Sequence, residues 1–175
     1  MTAIRTADRR RRSPRGARVR IALVIALLLL LEFYLRPSLI DGRGMPDFLI
    51  LGLLLIAIRQ SPGQAAVTGL VVGLLTDVLT PAHFGAGMLA HVIVGWGAAT
   101  GRAIFFADNL LVNALLFFVG TWVRNAIVVL LSGASLSQLA VELLVWSPLQ
   151  GIATAVAGVL LVLLLRDWLA IRIEA

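Results

Sequence analysis

Few side chains in this sequence are equipped for chemistry, and most of those lie inside apolar runs. Asp77 closes "GLVVGLLTDVL", Glu32 follows "VIALLLLL", Arg124 interrupts "TWVRNAI", and Glu142 ends "SGASLSQLAVE". A carboxylate and a guanidinium in such surroundings can neutralise one another as a buried ion pair. Asp77 with Arg124 is the expected pair, with Glu142 and Glu32 as rival partners for the arginine. Two plainer readings stand beside it. Asp77 marks the point where its helix meets water, and Arg124 extends its long stem toward the surface.

Other chemistry finds little support. His91 stands among glycines in "GMLAHVIVGWG" and His83 follows Pro81, and there is no cysteine in the chain. Two histidines without H-E-x-x-H spacing do not make a metal site, so His91 is expected as a packed or hydrogen-bonded core residue. Ser132, Ser135 and Ser137 share one loop with no histidine nearby in sequence and no G-x-S-x-G around them. No phosphate-cradling loop is present. The residues ask for neither catalysis nor a cofactor.

The elements that must hold these residues follow from composition. The 175 residues are 60% hydrophobic and 14% charged, against roughly 45–50% and about 25% in soluble domains. Ile21 to Leu31, Phe48 to Ile58 and Val156 to Leu165 carry no charge. This is the pattern of a polytopic, all-α membrane protein.

Residues 1 to 20 hold eight arginines against Asp8 alone, whereas the rest of the chain carries seven arginines against eight acidic residues. No folded basic domain or interleaved aromatics accompany the tail, which argues against nucleic acid as a partner. It reads instead as a cytoplasmic topology signal, each arginine adding about 1 kcal/mol of attraction to an anionic leaflet. A cleaved secretory signal is the competing reading, but "EFYLRPS" after the first apolar run lacks small residues at a cleavage site. The first span is therefore expected to stay.

A helix needs about 20 residues to cross a hydrocarbon core of about 30 Å. Spans are expected near 21–38, 46–59, 64–80, 86–106, 110–131 and 143–165. The second rises only about 21 Å at 1.5 Å per residue, so it either crosses a thinned bilayer with little tilt or turns back as a re-entrant arm. Arginines decide between these. With six spans, Arg59, Arg102, Arg166 and Arg172 fall inside with the tail, and only Arg36 and Arg43 fall outside. A re-entrant second segment places all six outside, against the positive-inside rule. The expected organisation is an Arg-rich cytoplasmic tail (1–20), a six-helix bundle (21–166) and a short cytoplasmic C-terminus (167–175). In the outer loop, Leu136, Leu139, Ala140 and Leu143 recur at helical spacing, as in a segment lying on the membrane surface or in a plain loop.

Small residues mark the packing faces. Gly69, Gly73 and Asp77 are spaced by four on one face of the third span, and Gly87, His91 and Gly95 repeat the spacing in the fourth. Gly97 with Gly101, and Gly151, Ala155 and Gly158 of the sixth span, add further small pairs. Such spacing lets backbones approach where no hydrophobic force draws helices together.

In this order, Pro46-Asp47 opening a short apolar span, Arg59 closing it, "GLVVGLLTDVL" followed by "FG", and Pro148 in "VWSPLQGIA", the sequence resembles the rod shape-determining protein MreD family over about residues 21 to 165. The resemblance implies a non-enzymatic scaffold of the bacterial cell-elongation complex in the cytoplasmic (inner) membrane. It implies MreC as a direct partner, and MreB, RodA and an elongation-specific penicillin-binding protein in the wider complex. Pro46, Gly69, Gly73, Asp77 and Arg124 are the expected partner-binding or structural residues. It also implies a fold similar to the six-helix substrate-binding subunits of energy-coupling-factor transporters, which supplies an alternative: a vitamin-capturing subunit. Ala22 and Ala26 then form its small pair toward a coupling protein, and Glu32, Asp77, His83, Arg124 and Glu142 line an outward pocket.

Overall fold

The computed structural model describes residues 14–35, 44–79, 81–104 and 109–169. The principal elements are α1 (Pro14–Leu30), α2 (Phe48–Ala57), α3 (Pro62–Leu79), α4 (Ala86–Ile104), α5 (Leu110–Leu131), α6 (Leu136–Val141) and α7 (Ser147–Leu169). A π turn (Leu31–Leu35) extends α1, a second (Glu142–Trp146) joins α6 to α7, and a 3-10 turn (Pro81–His83) precedes α4. No strand occurs among the described residues. The tail residues 1–13, together with Arg36 and Arg43, lie outside them.

The expected spans fall on these helices with small shifts. The first helix begins seven residues early, at Pro14, and the last apolar helix likewise begins at Leu136, because α6, the π turn and α7 run on without a break. The loop expected over 132–142 is thus largely helix, started by a reciprocal cap in which Ser135 accepts from the Gln138 N–H and Gln138 accepts from the Ser135 N–H.

Large apolar side chains cover the outside of the bundle as well as its core, while several polar groups are buried. Leu111, Leu115, Leu144 and Leu164 are exposed, whereas Asp47, Asp77, His91, Thr121, Ser147 and Thr154 are buried. That distribution suits a hydrocarbon solvent, where polar groups must be satisfied within the protein. Leu110–Leu131 and Leu136–Leu164 are long and apolar enough to cross a membrane; the other apolar helices are shorter.

The short second segment has a structural explanation that its sequence does not suggest. α2 packs against α1, α3, α4, α5 and α7, and Leu49, Ile50, Leu51, Gly52, Leu53, Leu54 and Ala57 are all buried. A helix apolar all round belongs in a core. Its ten residues rise only about 15 Å, and because neighbouring helices cover most of it, bilayer thickness does not set its length. Ile50, Leu53, Leu54 and Ala57 form the main core with Ala65, Val94, Ala98, Phe117 and Val162.

α3 and α4 form the closest pair. A Cβ on Gly69 would collide with the His91 carbonyl, one on Gly73 would stand 2.5 Å from the Met88 Cα, and one on Gly95 would stand 2.6 Å from the Ala65 carbonyl oxygen. The glycine stripe is therefore a seam of backbone against backbone. Gly158 serves differently, receiving the Phe117 ring, and nothing lies within 4 Å of a Cβ on Gly97 or Gly101. That pair takes no part in packing among the described residues.

Candidate functional site, a buried polar end of the bundle

The antiparallel helices bring the end of α3, the start of α4, the start of α2, the second half of α5 and the start of α7 to one end of the bundle. Two polar assemblies form there.

Asp77 builds the first. It is 3% exposed, and its carboxylate accepts three backbone N–H groups across the α3–α4 turn: Oδ2 from Gly85 at 2.8 Å and Met88 at 3.0 Å, Oδ1 from Gly87 at 3.0 Å. Gly85 has φ +99°, a left-handed conformation that glycine adopts without strain. The first N–H groups of a helix have no partner within it and lie at its positive end, so a carboxylate there gains charge-assisted bonds. This corrects both readings of Asp77. It is neither the counter-ion of Arg124 nor a carboxylate left at the water boundary, because the start of α4 supplies everything its charge requires. Thr76 next to it donates to the Gly73 carbonyl at 2.7 Å.

One turn into α4, His91 is fully buried, with Nδ1 2.7 Å from the Gly87 carbonyl oxygen. A carbonyl only accepts, so Nδ1 is the donor in this contact. Nε2 has no hydrogen-bond partner among the described residues. His91 is thus the packed, hydrogen-bonded core residue expected of it.

Arg124 belongs to the second assembly. Its Nη1 donates to Asn125 Oδ1 at 3.0 Å and stands 3.7 Å from Asp47 Oδ2. Asp47, 1% exposed, caps α2 by accepting from the Ile50 N–H at 2.9 Å, and its own N–H donates to Thr154 Oγ1 at 3.0 Å. Asn125 Nδ2 in turn donates to Gln150 Oε1 at 2.7 Å, and Glu32 Oε2 accepts the Phe48 N–H at 3.1 Å. Two carboxylates, Asp47 and Glu32, therefore serve the N-terminus of the buried helix, and Arg124 stands opposite the first of them. Pro46, half-buried just ahead of Asp47, has its φ fixed and no N–H to satisfy, and leads into the cap, where Asp47 itself is extended.

A third feature follows from Pro148. Proline has no N–H, so its helix cannot make a regular bond at that turn. The Ser147 N–H reaches back to the Glu142 carbonyl in π geometry, which leaves the Leu143 carbonyl without its helical donor. The Trp122 indole supplies one, with Nε1 donating to it at 3.0 Å.

Asp47, Asn125, Gln150, Thr154 and Trp122 escape a reading based on charge in apolar runs. The available signals are modest. Asp47 stands directly before an apolar run, as a cap does, and Gln150 and Thr154 are four apart in an otherwise apolar span. The outward pocket of the vitamin-capturing reading is not assembled. His83 and Glu142 line an open hollow of about 610 Å³ with Ser132, Ser137 and Gln138, whereas Asp77 and Arg124 are committed elsewhere. Among the described residues no group of three or more His, Cys, Asp or Glu could hold a metal ion. Glu32, Asp47 and Asp77 all accept backbone N–H groups. That arrangement holds helix ends in place.

Compared with known families, residues 17–171 match the family model of the rod shape-determining protein MreD. The chain belongs to the MreD family. It is thus a membrane protein of the machinery that determines rod shape, in a family of structural proteins. No curated protein and no solved structure matches it. The residues that carry the MreD resemblance now have physical roles. Pro46-Asp47 starts and caps the central helix, "GLVVGLLTDVL" is the α3 side of the glycine seam with the clamp at its end, and Pro148 creates the π turn that Trp122 completes.

Proposed function

We propose that this MreD-family chain is a non-enzymatic scaffold of the cell-elongation complex, binding MreC in the cytoplasmic membrane and so supporting peptidoglycan synthesis during rod growth. The observation that carries this reading is that the family match, residues 17–171, coincides with the helical bundle, so the shape-determining role is a property of the bundle. A scaffold must present a fixed apolar surface to a partner's membrane helix, and the glycine seam and the buried polar network both favour a rigid bundle. In this reading six segments span the membrane, both termini are cytoplasmic, and the polar end faces outward. MreB, RodA and an elongation-specific penicillin-binding protein belong to the wider complex. A likeness to the substrate-binding subunits of energy-coupling-factor transporters is part of the same proposal, supported by an antiparallel bundle of six helices once the continuous α6–α7 is counted as one.

The test is co-purification from native membranes. MreC is expected to accompany the wild-type chain and to be lost with Asp77→Arg, with cells rounding up. Normal rods and undiminished MreC recovery in that variant overturn the proposal. Recovery of a transporter ATPase instead of elongation proteins would replace it with the vitamin-capturing reading.

A further inference from the structure

We propose that the polar end of the bundle is a binding site for ordered water, held between Arg124, Asp47, Ser147 and His91 and joining the two assemblies into one network. Arg124 Nε, Ser147 Oγ and His91 Nε2 are buried there without a hydrogen-bond partner among the described residues. Asp47 Oδ2 stands 3.7 Å from Arg124 Nη1, near enough for charge attraction but beyond hydrogen-bond distance. At that separation a bridging water completes the contact.

The packing brings these groups to one level. Ser147, Gln150 and Thr154 are buried on one face of α7. Thr154 accepts from the Asp47 N–H and Gln150 accepts from the Asn125 amide, so Ser147, one turn before them, extends the same polar face. His91 comes to it from α4. A Cβ on Gly95 would stand 3.5 Å from Leu53 Cδ1, and α2 and α4 both run away from the polar end. His91, one turn before Gly95, is therefore level with the first turn of α2, next to Asp47. Arg124 and Asp47 both lie within electrostatic reach of its ring.

The chemistry of these atoms selects water. Arg124 Nε–H only donates, and the Asp47 carboxylate only accepts. Nδ1 of His91 already donates to the Gly87 carbonyl, and Nε2 accepts in the neutral ring and donates in the charged one. The Ser147 hydroxyl does either. An anion would meet the carboxylate of Asp47, and a cation would meet the guanidinium of Arg124. Water donates and accepts at once, and a buried water makes about three hydrogen bonds to groups otherwise left unsatisfied.

The experiment is hydroxyl-radical footprinting by X-ray radiolysis of the full-length protein in detergent, read residue by residue by mass spectrometry. Radicals formed on bound water oxidise the side chains that touch it. His91 and Phe117 are both fully buried, but Phe117 lies in the apolar core and serves as the dry control. Corrected for intrinsic reactivity, His91 is expected to label severalfold faster than Phe117. Ser147→Ala should lower the His91 rate while leaving helical content and elution unchanged. Thermal unfolding gives an independent reading. Shared water couples His91→Phe to Ser147→Ala, so the double variant should depart from the product of the two single effects on the unfolding constant by about twofold or more. Labelling of His91 at the Phe117 rate overturns the proposal, as does an unchanged His91 rate in Ser147→Ala or strict multiplicativity of the two variants. Stability that depends on which alkali cation is in the buffer gives the site to an ion and overturns it as well.

Discussion

Asp47 and Arg124 face one another across the buried polar end of the bundle, Oδ2 to Nη1 at 3.7 Å, with the carboxylate simultaneously capping α2. One residue thus sets where the central helix begins and which charge the α5 helix brings toward it. Removing one partner of a buried pair leaves a charge in low dielectric, a loss of about 3–5 kcal/mol. Arg124→Leu should destabilise the detergent-purified protein on that scale. Asp47→Asn with Arg124→Gln should be less damaging than the sum of the two single changes, by about 0.5–3 kcal/mol. Additive effects in thermal unfolding would show that the two charges are not coupled.

Asp77 should behave independently of Arg124. Asp77→Ala leaves three N–H groups at the start of α4 without their acceptor, and hydrogen bonds to a charged group contribute about 1.5–3 kcal/mol each. A loss of at least about 2 kcal/mol is expected. Arg124→Asp should not rescue Asp77→Arg in thermal stability, because the partners of Asp77 are backbone groups. Recovery of stability in that double variant would restore the direct pairing.

The glycines should divide sharply by position. Gly73→Leu drives a side chain into the Met88 backbone and is expected to cost at least about 3 kcal/mol, the upper end for overpacking, since a backbone cannot repack as a side chain does. Gly97→Leu meets open space and should change stability by no more than about 0.5 kcal/mol. Similar losses for the two variants in the same unfolding assay would refute the seam.

Trp122 and Pro148 should show compensation. Trp122→Phe strands the Leu143 carbonyl at a cost of about 1–3 kcal/mol. With Pro148→Ala the helix regains a donor and can close that turn by itself, so the tryptophan change should cost less in that background. An equal cost in both backgrounds would mean that the indole bond does not compensate for the proline.

Class, helix positions and the importance of the glycine stripe are all legible in the sequence, because hydrocarbon solvent imposes apolar helices and small residues at intervals of four impose close approach. These are local demands, met along one helix at a time. The partners of the charged residues are not local. Pairing Asp77 with Arg124 is reasonable from charge alone, yet backbone N–H groups are ligands too, and a sequence does not display where a helix N-terminus will be pointed. Only the folded turn between α3 and α4 brings those donors onto Asp77, leaving Arg124 to Asp47. The same holds for α2. Its sequence determines that it is apolar on every side, but only the packing of five other helices around it decides that a ten-residue helix is long enough.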